Sequence, residues 1–238
     1  MNPLSPIAAI NATGGAAGNP SHHGARPGPA YGLCVHTTGR GVPNQANRTK
    51  RDALEIAIGI YTRGPNAAHY VIGYTGTIAQ IVPDDRIAWH VGGGAKKRAL
   101  YLTGNWRDPR ECAPAAVRAW DRQWPGRKSP QHLFPGESAN AAYVGVELIP
   151  TAKGQGVPAA GGGLFTVGQY AALIALGADL AERHGWPADW SSTSRLVGHE
   201  DVGLLDRHVE EGGWDPGFLR DEPLFDFPRV RLALSPKT

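Results

Sequence analysis

Four residues of the kinds that perform hydrolytic chemistry end or interrupt apolar runs in this chain. His36 closes the run Tyr31-Gly-Leu-Cys-Val-His36, and Glu147 stands inside Tyr143-Val-Gly-Val-Glu147-Leu-Ile149. His199 follows Arg195-Leu-Val-Gly, and Asp215 lies in Gly213-Trp-Asp-Pro-Gly217. Taken singly, a histidine at a strand end is an ordinary polar residue; the information is in the set. A carboxylate within Val-Gly-Val-Glu-Leu-Ile is costly to bury without a partner. A nearby cation or metal-bound water offsets that cost. The alternative is a solvent-facing glutamate on a half-exposed strand.

The elements that must position these residues are short. Residues 31–38 read as a buried strand, an apolar run ending in polar residues and Gly39. Leu54, Ala57, Ile58 and Tyr61 repeat at helical spacing, which predicts a helix over 49–62 stopped by Gly64-Pro65. Segments 67–74 and 77–82, joined by Thr75-Gly76, read as a hairpin. A further strand is expected over 87–91, then one over 143–149 bounded by Pro150. The longest helix is expected over 166–184, with Tyr170, Leu173, Ile174, Leu176 and Leu180 as its apolar face. A short run at 195–199 leads into a charged loop, and a last helix is expected over 223–234 despite Pro228. This order implies an α/β fold, a single domain with a central mixed β-sheet flanked by helices. Strand ends in such a sheet put side chains at one rim, where sites usually form.

Composition narrows the function classes. The 238 residues are 41% hydrophobic and 19% charged, which fits a folded chain rather than a disordered one. Net charge is +3, with a sequence pI near 8.9; that suits an anionic polymer but is too weak, without a basic stripe, to argue for nucleic acid. No apolar run approaches a membrane span, so no membrane insertion is expected. The start lacks the basic and apolar regions of a secretory signal. The protein is therefore expected in the cytoplasm or carried outward by another machine, and is expected to be a monomer. Cys34 and Cys112 allow one bridge, though two unpaired thiols is the reading taken. Residues 1–30 read as an extended N-terminal arm, 31–238 as the catalytic domain, and 94–140 as an insertion within it. A helix is expected over 113–124. Trp106, Trp120, Trp124 and several arginines of the insertion either wall a cleft or fill a small satellite core.

The chain resembles the zinc N-acetylmuramoyl-L-alanine amidases, the family of AmpD-type enzymes, phage lysozyme-type amidases and peptidoglycan recognition proteins. The matching pieces are Val35-His36-Thr37-Thr38, Ala68-His69-Tyr70-Val-Ile, Gly76-Thr-Ile-Ala-Gln-Ile-Val-Pro83 and Ala88-Trp89-His90-Val-Gly92. They continue with Asn140 through Val144-Gly-Val-Glu147-Leu, Val197-Gly-His199-Glu-Asp-Val202 and Trp214-Asp215-Pro216-Gly217, in family order. The resemblance implies that His36, His199 and Asp215 bind Zn2+. Two imidazoles and a carboxylate with an open fourth position make a catalytic type of zinc site. It also implies that Glu147 takes the proton of the attacking water and passes it to the leaving amine. The implied substrate is peptidoglycan or a muropeptide, cut between N-acetylmuramic acid and L-alanine.

The match departs from the family at one position. AmpD-type enzymes carry a lysine two residues before the aspartate ligand, and Gly213 stands there in this chain. Arg207 or His208, on the long loop between His199 and Asp215, is expected to take the lysine's place in catalysis. A solvated loop charge is the alternative, and His208 as third ligand in place of Asp215 is another. His69, Trp89 and His90 are expected as substrate contacts, with His69 also read as a residue behind the ligands and Trp89 also read as core. Cys34 shares a strand face with His36, but the 6–7 Å spacing along a strand assigns it to packing. Three readings compete: a cell-wall lytic amidase such as a phage endolysin, a cytoplasmic amidase recycling anhydro-muropeptides, and a recognition module without activity. The full ligand set, with the glutamate, favours catalysis.

Overall fold

In the computed structural model, residues 7–13, 22–39, 41–64, 66–91, 139–151, 164–188, 190, 195–199 and 225–236 are described. Their strands are β1 (Ile10–Asn11), β2 (His22–Ala25), β3 (Gly32–Thr37), β4 (Tyr70–Ile72), β5 (Ile78–Gln80), β6 (Arg86–Ala88), β7 (Tyr143–Leu148) and β8 (Leu196–Gly198). The helices are α1 (Gly41–Thr49), α2 (Ala53–Arg63), the single turn α3 (Ala139–Ala142), α4 (Val167–His184) and α5 (Phe227–Leu234). Six strands form one sheet in the order β1-β5-β4-β7-β3-β8, and β2 pairs with β6 in a separate ribbon. The four strands β4, β7, β3 and β8 are mutually parallel, while β5 runs antiparallel to β4. This is the mixed sheet with flanking helices expected from the sequence.

Strand alternation divides the sheet chemically. On one face Leu33, Val35, Tyr70, Ile72, Val144, Val146 and Leu196 are buried beneath Leu173, Leu176 and Leu180 of α4 and Phe227 and Val230 of α5. At about 1.5–3 kcal/mol per buried aliphatic or aromatic side chain, this layer is the main hydrophobic anchor of the fold. α4 is placed by its first turn. The Thr166 hydroxyl accepts from the Gln169 backbone while the Gln169 side chain accepts from Thr166, a capping box. The Gln169 amide then donates to the carbonyls of Ile72 and Ile149, fastening the helix to β4 and the end of β7.

On the opposite face, α1 and α2 cover the β4–β5 side, where Val42, Ala46, Leu54, Ile56 and Ala57 pack on Val71, Ala79 and Ile81. Asp52 starts α2 by accepting from the backbone of Leu54 and Glu55. The β4–β5 turn needs Gly76, whose φ of +87° belongs to the left-handed region. Over β7, β3 and β8 this face carries Cys34, His36, Glu147, Val197 and His199, all buried.

Several boundaries differ from expectation. The helix expected over 49–62 is α2, which starts later, at Ala53; the separate helix α1 precedes it, with Lys50 between them at φ 57°. The strand expected over 87–91 is β6, which pairs with β2 instead of entering the main sheet. The arm is more than a lead-in, because β1 pairs with β5 and β2 with β6. α5 begins at Phe227 with Pro228 in its first turn, where the missing N–H costs nothing. Most of the 94–140 insertion, including the helix expected over 113–124, Trp106, Trp120, Trp124 and Cys112, lies outside the described residues.

Candidate active site

Parallel pairing aligns the site residues. His36 of β3 is the register partner of Glu147 of β7, and Val35 is the partner of Gly198 of β8. One step further along β3 and β8 brings His36 beside His199, whose rings lie 4.8 Å apart between centroids. Glu147, His36 and His199 therefore form one row across three adjacent strands, near their carboxyl ends and on the sheet face that also carries α1 and α2. Glu147 is 6% exposed and His199 2%. The solvent-facing alternative for Glu147 is thereby excluded.

A second row lies one pleat below, made of Gly145, Cys34 and Val197. His90, just past the end of β6, lays its ring into this row. A β-carbon built on Gly145 would fall 2.6 Å from Cδ2 and 2.8 Å from Cβ of His90, so only glycine leaves room for that ring. Asn140 holds the backbone of the segment. Its side-chain oxygen accepts from the N–H groups of His90 (3.0 Å) and Val91 (2.8 Å), and its amide donates to Val91 O (3.0 Å).

The hydrogen bonds fix the state of the His90 ring. Nε2 donates to the Tyr143 carbonyl (3.2 Å), which leaves the Nδ1 lone pair facing His36 Nε2 at 2.9 Å. Burial holds this imidazole well below its usual pKa, and the neighbouring His36, His69 and His199 push in the same direction. His90 is thus a neutral, oriented nitrogen donor. Cys34, His36 and His90 each offer one donor atom, all within 4.8 Å of one another.

Behind this layer, His69 is fully buried and completes the β7 ladder with its side chain. Gly145 N donates to His69 Nδ1 (3.0 Å), so the ring proton rests on Nε2, which faces Arg86 O at 3.0 Å. A guanidinium nitrogen of Arg26 lies 2.9 Å from the same Nε2. Arg26 also donates to the carbonyls of Asp84 (2.9 Å), Ala141 and Tyr143 (3.3 Å), tying the residues after β2 to the floor of the site. Burial brings Arg26 down to about 10, against the pull of Asp84 and Asp85. Beside it, Asp84 accepts from Tyr70 (2.6 Å) and pairs with Arg183 of α4. Burial, and then Asp84, raise the Tyr70 hydroxyl far above the range in which it would ionise.

Of the expected residues, His36, Glu147 and His199 converge, and His90 joins them as a direct neighbour of His36. His69 stands behind the row, its ring 5.8 Å from that of His90, and has no exposed surface for substrate. Trp89 is 49% exposed beside His90, so it is not core. Asp215, His208, Arg207 and Gly213 lie outside the described residues. Sequence reasoning missed Arg26, which sits in a Pro-rich stretch without periodicity. It also set Cys34 aside as packing. The thiol does pack against Val91, Tyr143 and Val197, yet it belongs to the donor cluster as well.

The chain is similar in structure to a selenomethionine derivative of AmpD, at 21% identity over 96% of this chain and 95% of that one, with a TM-score of 0.48. It is similar to the Ph2119 endolysin of a Thermus scotoductus bacteriophage, at 14% identity over 90% of each chain, with a TM-score of 0.42. It is also similar to AmpDh3 from Pseudomonas aeruginosa, solved in complex with anhydromuramic pentapeptide. Identity there is 15% over 90% of this chain and 64% of that one, with a TM-score of 0.44. No curated protein sequence matches the chain. The family model described as N-acetylmuramoyl-L-alanine amidase matches residues 26–218, which takes in both rows of the site, and the chain belongs to that family.

Proposed function

We propose that this protein is a zinc-dependent hydrolase that cuts the amide bond between N-acetylmuramic acid and L-alanine in peptidoglycan. The observation that carries the reading is the row of Glu147, His36 and His199 on three adjacent strand ends. The donor chemistry fits zinc: imidazoles and a nearby carboxylate are ligands of its borderline kind. His36 and His199, with Asp215, would hold the ion. When bound, zinc supplies a Lewis acid that polarises the scissile carbonyl and acidifies the attacking water.

The protein's own residues do the rest. Glu147 accepts the proton of the attacking water and delivers it to the alanine nitrogen as the C–N bond breaks. Its burial keeps bulk water from competing for that proton. His69, Arg26 and Asn140 keep the second row rigid beneath His36, so the reacting groups meet without rearrangement. Arg207 or His208 supplies positive charge at the developing oxyanion in place of the lysine absent at Gly213. Net charge of +3 favours a polymeric anionic substrate, and a lytic role on intact wall is the reading adopted.

The test is metal content and turnover measured together on a muramoyl tripeptide. Wild type is expected to bind one zinc per chain and to lose activity with chelator. His36→Ala is expected to lose both metal and turnover, and His199→Ala to lose turnover. Full turnover in His199→Ala would remove the assignment. Faster cleavage of soluble anhydro-muropeptides than of sacculi would move the role from lysis to recycling.

A further inference from the structure

We propose that Cys34, His36 and His90 form a second, inner divalent-cation position that shares His36 with the outer set and competes with it. Three observations support it. The Sγ of Cys34 and one nitrogen each of His36 and His90 lie within 4.8 Å of one another, and all three residues are buried. His90 donates its other ring nitrogen to the Tyr143 carbonyl, the outer bond that ordinarily orients a metal-binding imidazole. Gly145 gives the His90 ring the space to lie against β7, where a β-carbon would displace it.

The distances suit a metal. Zinc–nitrogen bonds of about 2.0–2.1 Å at a tetrahedral angle separate two nitrogens by about 3.3 Å. His36 Nε2 and His90 Nδ1 stand 2.9 Å apart, so a small opening of the pair admits an ion. Cys34 and His36 alternate onto the same face of β3, and the His90 ring, arriving from another segment, closes the gap between them. One thiolate and two imidazoles favour zinc, cobalt and cadmium over magnesium or calcium. As the metal–sulfur bond forms, the Cys34 thiol releases its proton to solvent. Because His36 belongs to both sets, an ion drawn inward takes a ligand from the outer position, and excess thiolate-binding metal inhibits hydrolysis.

The inner position is tested by cobalt titration of the full metal-free chain. Wild type is expected to develop the near-ultraviolet absorption of a thiolate-to-cobalt transition. Cys34→Ser and Cys34→Ala are expected to lose it, with folding checked by circular dichroism. Cys112→Ser and His199→Ala are expected to keep it. Loss of the band in Cys112→Ser, or its persistence in Cys34→Ser, overturns the proposal. So does its loss in His199→Ala, which would assign the thiolate to the outer set. X-ray absorption on cobalt-loaded wild type reads the same question without substitution. A sulfur neighbour at about 2.3 Å supports the inner position, and a shell of nitrogen and oxygen alone rejects it. Either result leaves the amidase reading to be judged separately on zinc content and turnover.

Discussion

The space beneath His90 is the most sharply constrained part of the site, and Gly145→Ala tests it. The added methyl would meet Cδ2 of His90 at 2.6 Å and Cβ at 2.8 Å, with Cγ nearer still, all well inside ordinary carbon contact. The ring has little room to retreat. Its Nε2 is tied to Tyr143 O and its backbone N–H to Asn140. Either β7 shifts away from the ring, or the ring leaves and gives up its contacts with Tyr143 and His36. Overpacking of this kind costs about 1–3 kcal/mol. For a chain of this size each kcal/mol lowers Tm by about 2–4 °C, so the expected fall is about 2–12 °C. The assay is thermal unfolding of Gly145→Ala, His90→Ala and the double variant. Removing the ring makes room for the methyl, so the double variant is expected to be more stable than the two single losses add up to, with a coupling of at least about 0.5 kcal/mol. Strict additivity would refute the steric reasoning, as would a Gly145→Ala protein that melts with wild type.

Glu147→Gln preserves shape while removing the proton acceptor. It is expected to keep its metal and its melting temperature and to lose turnover by about 10²–10⁴-fold, read on a muramoyl tripeptide; unchanged kcat would discard the role. Thr166→Ala removes the cap of α4 and is expected to cost about 0.5–2 kcal/mol in urea unfolding, with no cost meaning that the capping box contributes nothing. Asp84→Ala takes one of two carboxylates from Arg183, which keeps Asp179, and removes the acceptor of the Tyr70 hydroxyl, so it is expected to destabilise by about 1–3 kcal/mol; a loss under about 0.5 kcal/mol would show the pair to be solvated. Stability should also depend on pH through His184, whose burial lowers it below the ordinary 6.5. Just below 6.5 the unfolded chain binds a proton that the folded chain refuses. This contribution is therefore complete above that value and fades as pH falls through it. His184→Gln should flatten the decline of the urea midpoint between about pH 7 and pH 5.5, and an unchanged slope would contradict the assignment.

Periodicity and turn chemistry revealed most of the elements because each rests on local signals. The apolar runs at 31–38 and 143–149 place β3 and β7 within a residue or so of their observed ends. The long apolar face of 166–184 becomes α4, with its cap at Thr166. Strand partners are not local properties, so β6 joining β2 instead of the main sheet left no mark in residues 87–91. The same limit governs the site. His36 and His199 are legible as polar ends of apolar runs, and Glu147 as a carboxylate inside one. The role of Gly145 depends on a ring brought in from His90, some fifty residues earlier. Spacing along one strand separates Cys34 from His36, whereas His90 approaches from outside that strand and bridges the gap. Arg26 acts by donating to carbonyls scattered from Asp84 to Tyr143, and no short sequence window contains that pattern.

The bond that is cut tests the functional reading most directly. Purified sacculi are digested with the 238-residue chain, with and without chelator, and the products are resolved by mass spectrometry. Hydrolysis through Glu147, His36 and His199 should free stem peptides bearing a new L-alanine amino terminus and leave glycan strands intact, and the chelator should stop both changes. New reducing sugar ends, or peptides cut within the stem, would contradict it.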